Sequence, residues 1–250
     1  MKINLKYKIF LTTIFCCIIT YAQNYQITYS QKINFDNKSF EDINATYYDL
    51  YINDKESVYL ENKELKDNTH EKNRGEINLT KDRTSDQKLF KYRNLKDFYF
   101  NTFIGNEHHY IVKDVFELNW KIDKETKNIL NFKTQKATTN FRGRNYTAWF
   151  AIEIGYPHGP WKFNGLPGLI LEIYDDKNFF RIDAIKIENV NFNISNFLKD
   201  YDLENTISIE EYNLKGKEYS QKMLEKVKLI NPKFKMDEKC ESCNKSVEIF

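Results

Sequence analysis

A chain of 250 residues with 38 basic and 36 acidic side chains has no charge excess with which to hold a nucleic acid backbone, and no polybasic cluster along it offers a membrane surface. Its 19 Phe and 17 Tyr supply large buried surfaces and favour strands. Only four prolines and eight glycines exclude a collagen-like or low-complexity chain.

The first 22 residues have the three parts of a secretory signal: Lys2, Lys6 and Lys8, then the apolar run Ile9–Ile19, then Thr20-Tyr21-Ala22. Cleavage is expected before Gln23. The apolar run is about half of the roughly 20 residues a membrane span needs. Cys16 and Cys17 raise lipid attachment as an alternative, but Phe15 or Cys16 stands where a small residue is wanted. Without the three signal lysines the count is 35 basic against 36 acidic residues. Residues 23–250 are long enough for one β-rich domain.

Tyr25, Ile27, Tyr29, Ile33 and Phe35 alternate with polar residues, the period of a half-buried strand. A second strand through Tyr47–Tyr51 reaches a turn at Asn53-Asp54 and resumes through Val58 and Tyr59. Residues 61–88 hold only Leu65, Ile77 and Leu79 as sizeable apolar groups, too little to offset ordering entropy, and read as a long charged loop. Strand patterns return at Leu89–Tyr92, Phe98–Ile104, His109–Val112 and Phe116–Ile122. Residues 123–128 read as a polar turn, followed by strands over Ile129–Thr139 and Tyr146–Ile154. Leu169–Tyr174 and Phe179–Ile187 form a hairpin around Asp175-Asp176-Lys177-Asn178.

One helix is predicted, over 208–230. Ser208 caps it, and Ile209, Tyr212, Tyr219, Met223, Val227 and Ile230 share one face. Pro232 ends it. The fold class is therefore mainly β (α+β): a curved antiparallel sheet or partly open barrel with one C-terminal helix packed against it. Cys240 and Cys243 near the C-terminus are most simply a local disulfide in an oxidising compartment. A redox pair, a metal site needing two further ligands, or free thiols are the other readings.

Seven of the twelve Gly and Pro residues lie between Gly155 and Gly168, so this loop has a specified shape. Leu166-Pro167-Gly168-Leu169 fits a type II turn, which needs φ above zero at Gly168. His158 is a candidate hydrogen-bonding or basic group for a ligand, or a structural histidine; on the first reading His158→Ala leaves stability nearly unchanged. Arg142 and Arg144 alternate and should share a face, able to receive an anion or to pair with Glu153, Glu172 or Asp175. Trp149, Trp161 and Phe163 either floor a pocket or belong to the core. Asp175 and Asp176, at a hairpin tip, read as turn formers. His108 and His109, adjacent on a strand, point to opposite faces and cannot readily share a metal. His70 falls in the charged loop.

The hexapeptide Gly165-Leu166-Pro167-Gly168-Leu169-Ile170 resembles the motif after which the GLPGLI family of exported Bacteroidetes proteins is named. Trp120-Lys121-Ile122, Lys136-Ala137-Thr138, Phe141-Arg142-Gly143-Arg144, Ala148-Trp149-Phe150 and Gly159-Pro160-Trp161 occur in that family's order. Thr134 stands where many of its members carry a cysteine. The resemblance implies a place in the cell envelope, periplasmic or outer-membrane associated, and no particular reaction.

The chain has no Gly-x-Ser-x-Gly elbow, His-Glu-x-x-His zinc signature, phosphate loop or dinucleotide fingerprint, so no cofactor, metal or catalytic residue is assigned. The leading expectation is a non-enzymatic envelope protein binding a small hydrophobic ligand or a partner. An accessory subunit of an outer-membrane assembly comes second, and an enzyme of unfamiliar type third.

Overall fold

In the computed structural model, the protein is described over residues 24–65, 88–92, 96–105, 108–199 and 201–233. The signal sequence, His70 with most of the 61–88 loop, and Cys240 with Cys243 lie outside the described residues.

Period-two alternation produces the strands where the sequence carries it: β1 (Tyr25–Ile33), β2 (Thr46–Ile52), β3 (Glu56–Glu61), β4 (Lys88–Tyr92), β5 (Asp97–Ile104), β6 (His108–Val115), β7 (Lys121–Ile129), β8 (Phe132–Phe141), β9 (Arg144–Ala151), β10 (Leu169–Asp175), β11 (Phe180–Asn189) and the short β12 (Ile207–Ser208). They form one 12-stranded sheet in the order β12-β6-β5-β4-β3-β2-β1-β11-β10-β9-β8-β7. Two meanders, β1–β6 and β7–β11, thus join along the antiparallel β1–β11 pair, and among the described residues only β12 pairs in parallel, on β6. The helix α1 (Ile209–Ile230) follows, with the Ser208 hydroxyl accepting from the Glu211 amide as its cap.

The connectivity dictates curvature. β6 and β7 stand ten strand spacings apart, about 48 Å in a flat sheet. Five residues, Phe116–Trp120, join them, and such a link reaches at most about 22 Å. The sheet must curl until its two ends approach, which makes a deep open bowl rather than a plane. For the same reason the strand expected over Phe116–Ile122 is an irregular link up to Trp120. Phe116 serves there as a core ring, 5.8 Å from Phe98 and 4.9 Å from Phe141 between centroids.

The turn expected at residues 123–128 is absent. β7 runs straight through them with a register irregularity between Ile122 and Thr126, and the reversal falls at Leu130-Asn131, both at positive φ. β7 is an edge strand exposed for most of its length, so it has no buried face that would demand apolar alternation. Its charges guard the open edge.

The main core fills the concave face: Ile27, Tyr29, Leu50, Tyr59, Phe98 and Phe100 from the first meander, with Phe141, Tyr146, Phe150, Leu171 and Ile182 from the second. A smaller cluster on the convex face packs Val58, Phe90 and Tyr99 beneath Ile194, in the segment that returns after β11.

Candidate functional site

The Gly/Pro loop between β9 and β10 enters the bowl and becomes its filling. His158, Gly159, Pro160, Lys162, Phe163 and Asn164 are all buried, and Phe163 meets the Tyr146 ring at 4.7 Å. Half-buried Trp161, at φ +49°, packs 5.3 Å from Phe180. Trp120 Nε1 donates to the Asn164 carbonyl at 2.7 Å, tying the β6–β7 link to the loop.

The loop's shape departs from the expected turn. Positive φ is found at Gly165 (+88°) and not at Gly168, whose amide donates to the Leu166 carbonyl at 2.8 Å in a three-residue turn about Pro167. Gly168 is needed for closeness: a Cβ there would lie 2.3 Å from the Ala151 carbonyl oxygen of β9.

Four charged side chains, one of them the loop's own Lys162, meet beneath the loop. Asp114 of β6, fully buried, accepts from Arg142 Nη2 at 2.6 Å and from Lys162 Nζ at 2.9 Å. Lys91 of β4, also fully buried, donates to the carbonyls of Gly159 (2.7 Å) and Phe163 (3.1 Å) and lies 5.8 Å from the Phe98 ring centre. Burial pushes the Lys91 ammonium down to about 7. His158 is held down to about 3, by burial first and by the nearby Lys91 charge second. Its Nδ1 has no hydrogen-bond partner. At 1% exposure, His158 packs as a neutral core side chain closed to any ligand at the surface.

The two arginines separate. Arg142 sits in the β8–β9 turn at φ +45° and pairs inward with Asp114, so the two arginines serve different carboxylates. Arg144 pairs with Asp175 at 2.9 Å. The other oxygen of Asp175 accepts from the amides of Phe179 and Phe180, the turn role expected of it, and Asp176 accepts from Asn145. Trp149 faces away from the loop, on the convex side. There its buried ring has Lys127 Nζ 4.3 Å from its centre, and Lys127 also pairs with Glu172 at 2.5 Å. Exposed His109 packs edge-on against Phe103 at 5.0 Å. Lys91, Asp114 and Lys162 are invisible as a group in the sequence, since 71 positions part the first from the last.

Accessible concavities lie instead at the two ends of the β1–β11 pair. One, of about 460 Å³, is lined by Tyr25, Leu130, Asn131, Phe132, Ile187, Glu188 and Asn189. The Gly/Pro loop reaches it through Tyr156, whose ring stands edge-on to Tyr25 at 5.9 Å. The other, of about 450 Å³, is lined by Lys32, Lys38, Ser39, Phe40, Glu41, Asn178, Arg181 and Asp183. There Arg181 is already held by Asp183 (2.8 Å) and Glu172 (3.1 Å).

The family described as N-glycanase peptide, N-terminal domain, matches residues 27–212, nearly all of the sheet. The chain belongs to that family. Two solved structures of PNGF-II, in space groups C2 and P21, share the fold of this chain. Their TM-scores are 0.55 and 0.54, at 16% and 15% identity, each covering 79% of this chain. The match takes in 33% and 34% of those chains, so this one spans about a third of their length. No curated protein matches it. The family's boundary at residue 212 falls just inside α1, so most of that helix lies beyond it.

Proposed function

We propose that the protein is a non-catalytic binding module whose ligand is a carbohydrate, taken up in the groove between β1, β11 and the β7–β8 turn. The observation that carries this is the groove's lining. Tyr25 and Phe132 supply aromatic surface, Leu130 and Ile187 aliphatic surface, and Asn131, Asn189 and Glu188 a rim of donors and acceptors. A sugar ring has the same division, with C–H faces that pack on aromatic rings and hydroxyls that need paired polar partners. Membership of a family named for N-glycanases supports an N-linked glycan as the ligand class. The filled interior of the bowl favours this amphipathic ligand over a wholly hydrophobic one. The export signal and the GLPGLI-like hexapeptide support a place outside the cytoplasm, in the periplasm or at the outer membrane, where glycans are met.

The test is titration of the labelled protein with free N-glycans, followed by amide NMR. Shifts confined to residues 25, 130–132 and 187–189, with a Kd of about 1 mM or tighter, are expected. Tyr25→Ala and Asn131→Ala should abolish them. No shift with any glycan sinks the carbohydrate assignment, and glycan release from a glycoprotein by this chain alone sinks its non-catalytic part.

A further inference from the structure

The first half of α1 is docked and the second half is not. Tyr212 packs edge-on against Phe100 of β5 at 6.3 Å. Tyr219 covers Gly105, just past the end of β5, so closely that a Cβ there would lie 2.5 Å from its ring. The strands that α1 packs on are β12, β6 and β5. Beyond Tyr219 the helix runs eleven more residues, about 16 Å, past the end of that hairpin. Leu229 and Ile230 are 82% and 85% exposed, and Met223 is 40% exposed.

The undocked half has a distinct arrangement. At about 100° per residue, Met223, Val227 and Ile230 continue the line of Tyr212 and Tyr219 within about 80° of arc. Lys222 and Lys226 flank this stripe on one side, while Lys228, Glu218 and Glu225 fall on the far face. From Tyr219 to Lys233 the chain holds four lysines, at 222, 226, 228 and 233, against the single Glu225. Two lysines that form no cluster along the sequence are thus set along one border of an apolar stripe by the helical period.

We propose that the C-terminal half of α1 lies on an anionic lipid surface, with Met223, Val227 and Ile230 in the acyl boundary and the flanking lysines at the headgroups. The charge arrangement selects this occupant. Lysines bordering an apolar stripe can extend their stems along it and leave their ammonium groups among anionic headgroups. A second copy packed antiparallel, stripe to stripe, would bring the lysine flank against its own counterpart. No helix among the described residues is long and apolar enough to cross a membrane, so this helix would lie on the surface.

The experiment is co-sedimentation with vesicles of phosphatidylcholine alone and of phosphatidylcholine mixed equally with phosphatidylglycerol. It is run on the full chain and on the chain from Gln23, comparing parent and variant within each. Anionic vesicles should bind the parent about 10-fold or more tightly than neutral ones, and added salt should weaken that binding. Val227→Glu with Ile230→Glu, and separately Lys222→Glu with Lys226→Glu, should each remove most of the preference. These positions lie on the undocked half, and an unchanged circular dichroism melt verifies that the sheet is intact. Equal binding of parent and variants, or no preference for anionic lipid, overturns the proposal. So does a dimer of the parent in sedimentation velocity that Val227→Glu splits.

Discussion

Lys91 Nζ lies 2.7 Å from the carbonyl oxygen of Gly159, and through that bond a β4 side chain holds the far end of the β9–β10 loop inside the bowl. The ammonium there has exchanged water for two carbonyls and an aromatic ring, with Asp114 already occupied by Arg142 and Lys162. Burial therefore wins over pairing in setting its protonation.

Lys91 should leave a signature in the pH dependence of stability. Its folded-state value, about 7, lies below the ordinary 10.5. Between these the unfolded chain binds more protons than the folded one, so stability rises as pH climbs from about 7 towards 10.5. Urea unfolding across that range should show the rise, and Lys91→Met should flatten it. An equal slope in the variant would mean the ammonium is better solvated than its burial indicates.

His158 acts in a lower window. Its folded-state value of about 3 lies below the ordinary 6.5, so the protein should lose stability as pH falls from about 6.5 towards 3. His158→Phe, of similar volume and unable to take a proton, should lose less over that range than the parent. Because the side chain is buried, His158→Ala should cost on the order of 2 kcal/mol at pH 7 through the cavity it opens. That replaces the near-neutral effect expected of a surface-facing histidine.

Two glycines should respond in opposite directions. Gly168→Ala puts a Cβ 2.3 Å from a β9 carbonyl oxygen and should destabilise by about 1–3 kcal/mol. Gly216, inside α1 with nothing within 4 Å of where a Cβ would stand, should accept Ala with a gain of about 0.5–1 kcal/mol. Thermal melts of the two variants side by side decide both.

Asp175→Asn should cost several kcal/mol, about 3–5 by the usual penalty for breaking a buried ion pair. It leaves the buried Arg144 guanidinium without its 2.9 Å carboxylate partner and weakens the acceptor for two turn amides. Arg144→Met with Asp175→Asn should recover part of that loss. A double variant no more stable than the single one would show that the turn amides, rather than the ion pair, carry the cost.

Features set by near neighbours are legible in the sequence. The strands with one buried face, the β10–β11 turn at Asp175 and the helix capped by Ser208 all follow from period two, turn chemistry and a cap, each fixed within a few residues. β7 is not legible, because an edge strand has no core to impose a pattern on it. The site residues are hidden for a different reason. Lys91, Asp114, Arg142 and Lys162 look like surface charges in sequence, and only the curl of the sheet, forced by the short Phe116–Trp120 link, brings them under one loop. The need for glycine at position 168 is legible, but its cause is tertiary: the approach of β9, rather than a φ that the Leu-Pro-Gly-Leu sequence would impose alone. Likewise Lys222 and Lys226 of α1 stand apart along the chain, and it takes the docking of Tyr212 and Tyr219, ending where β5 ends, to leave their half of the helix uncovered.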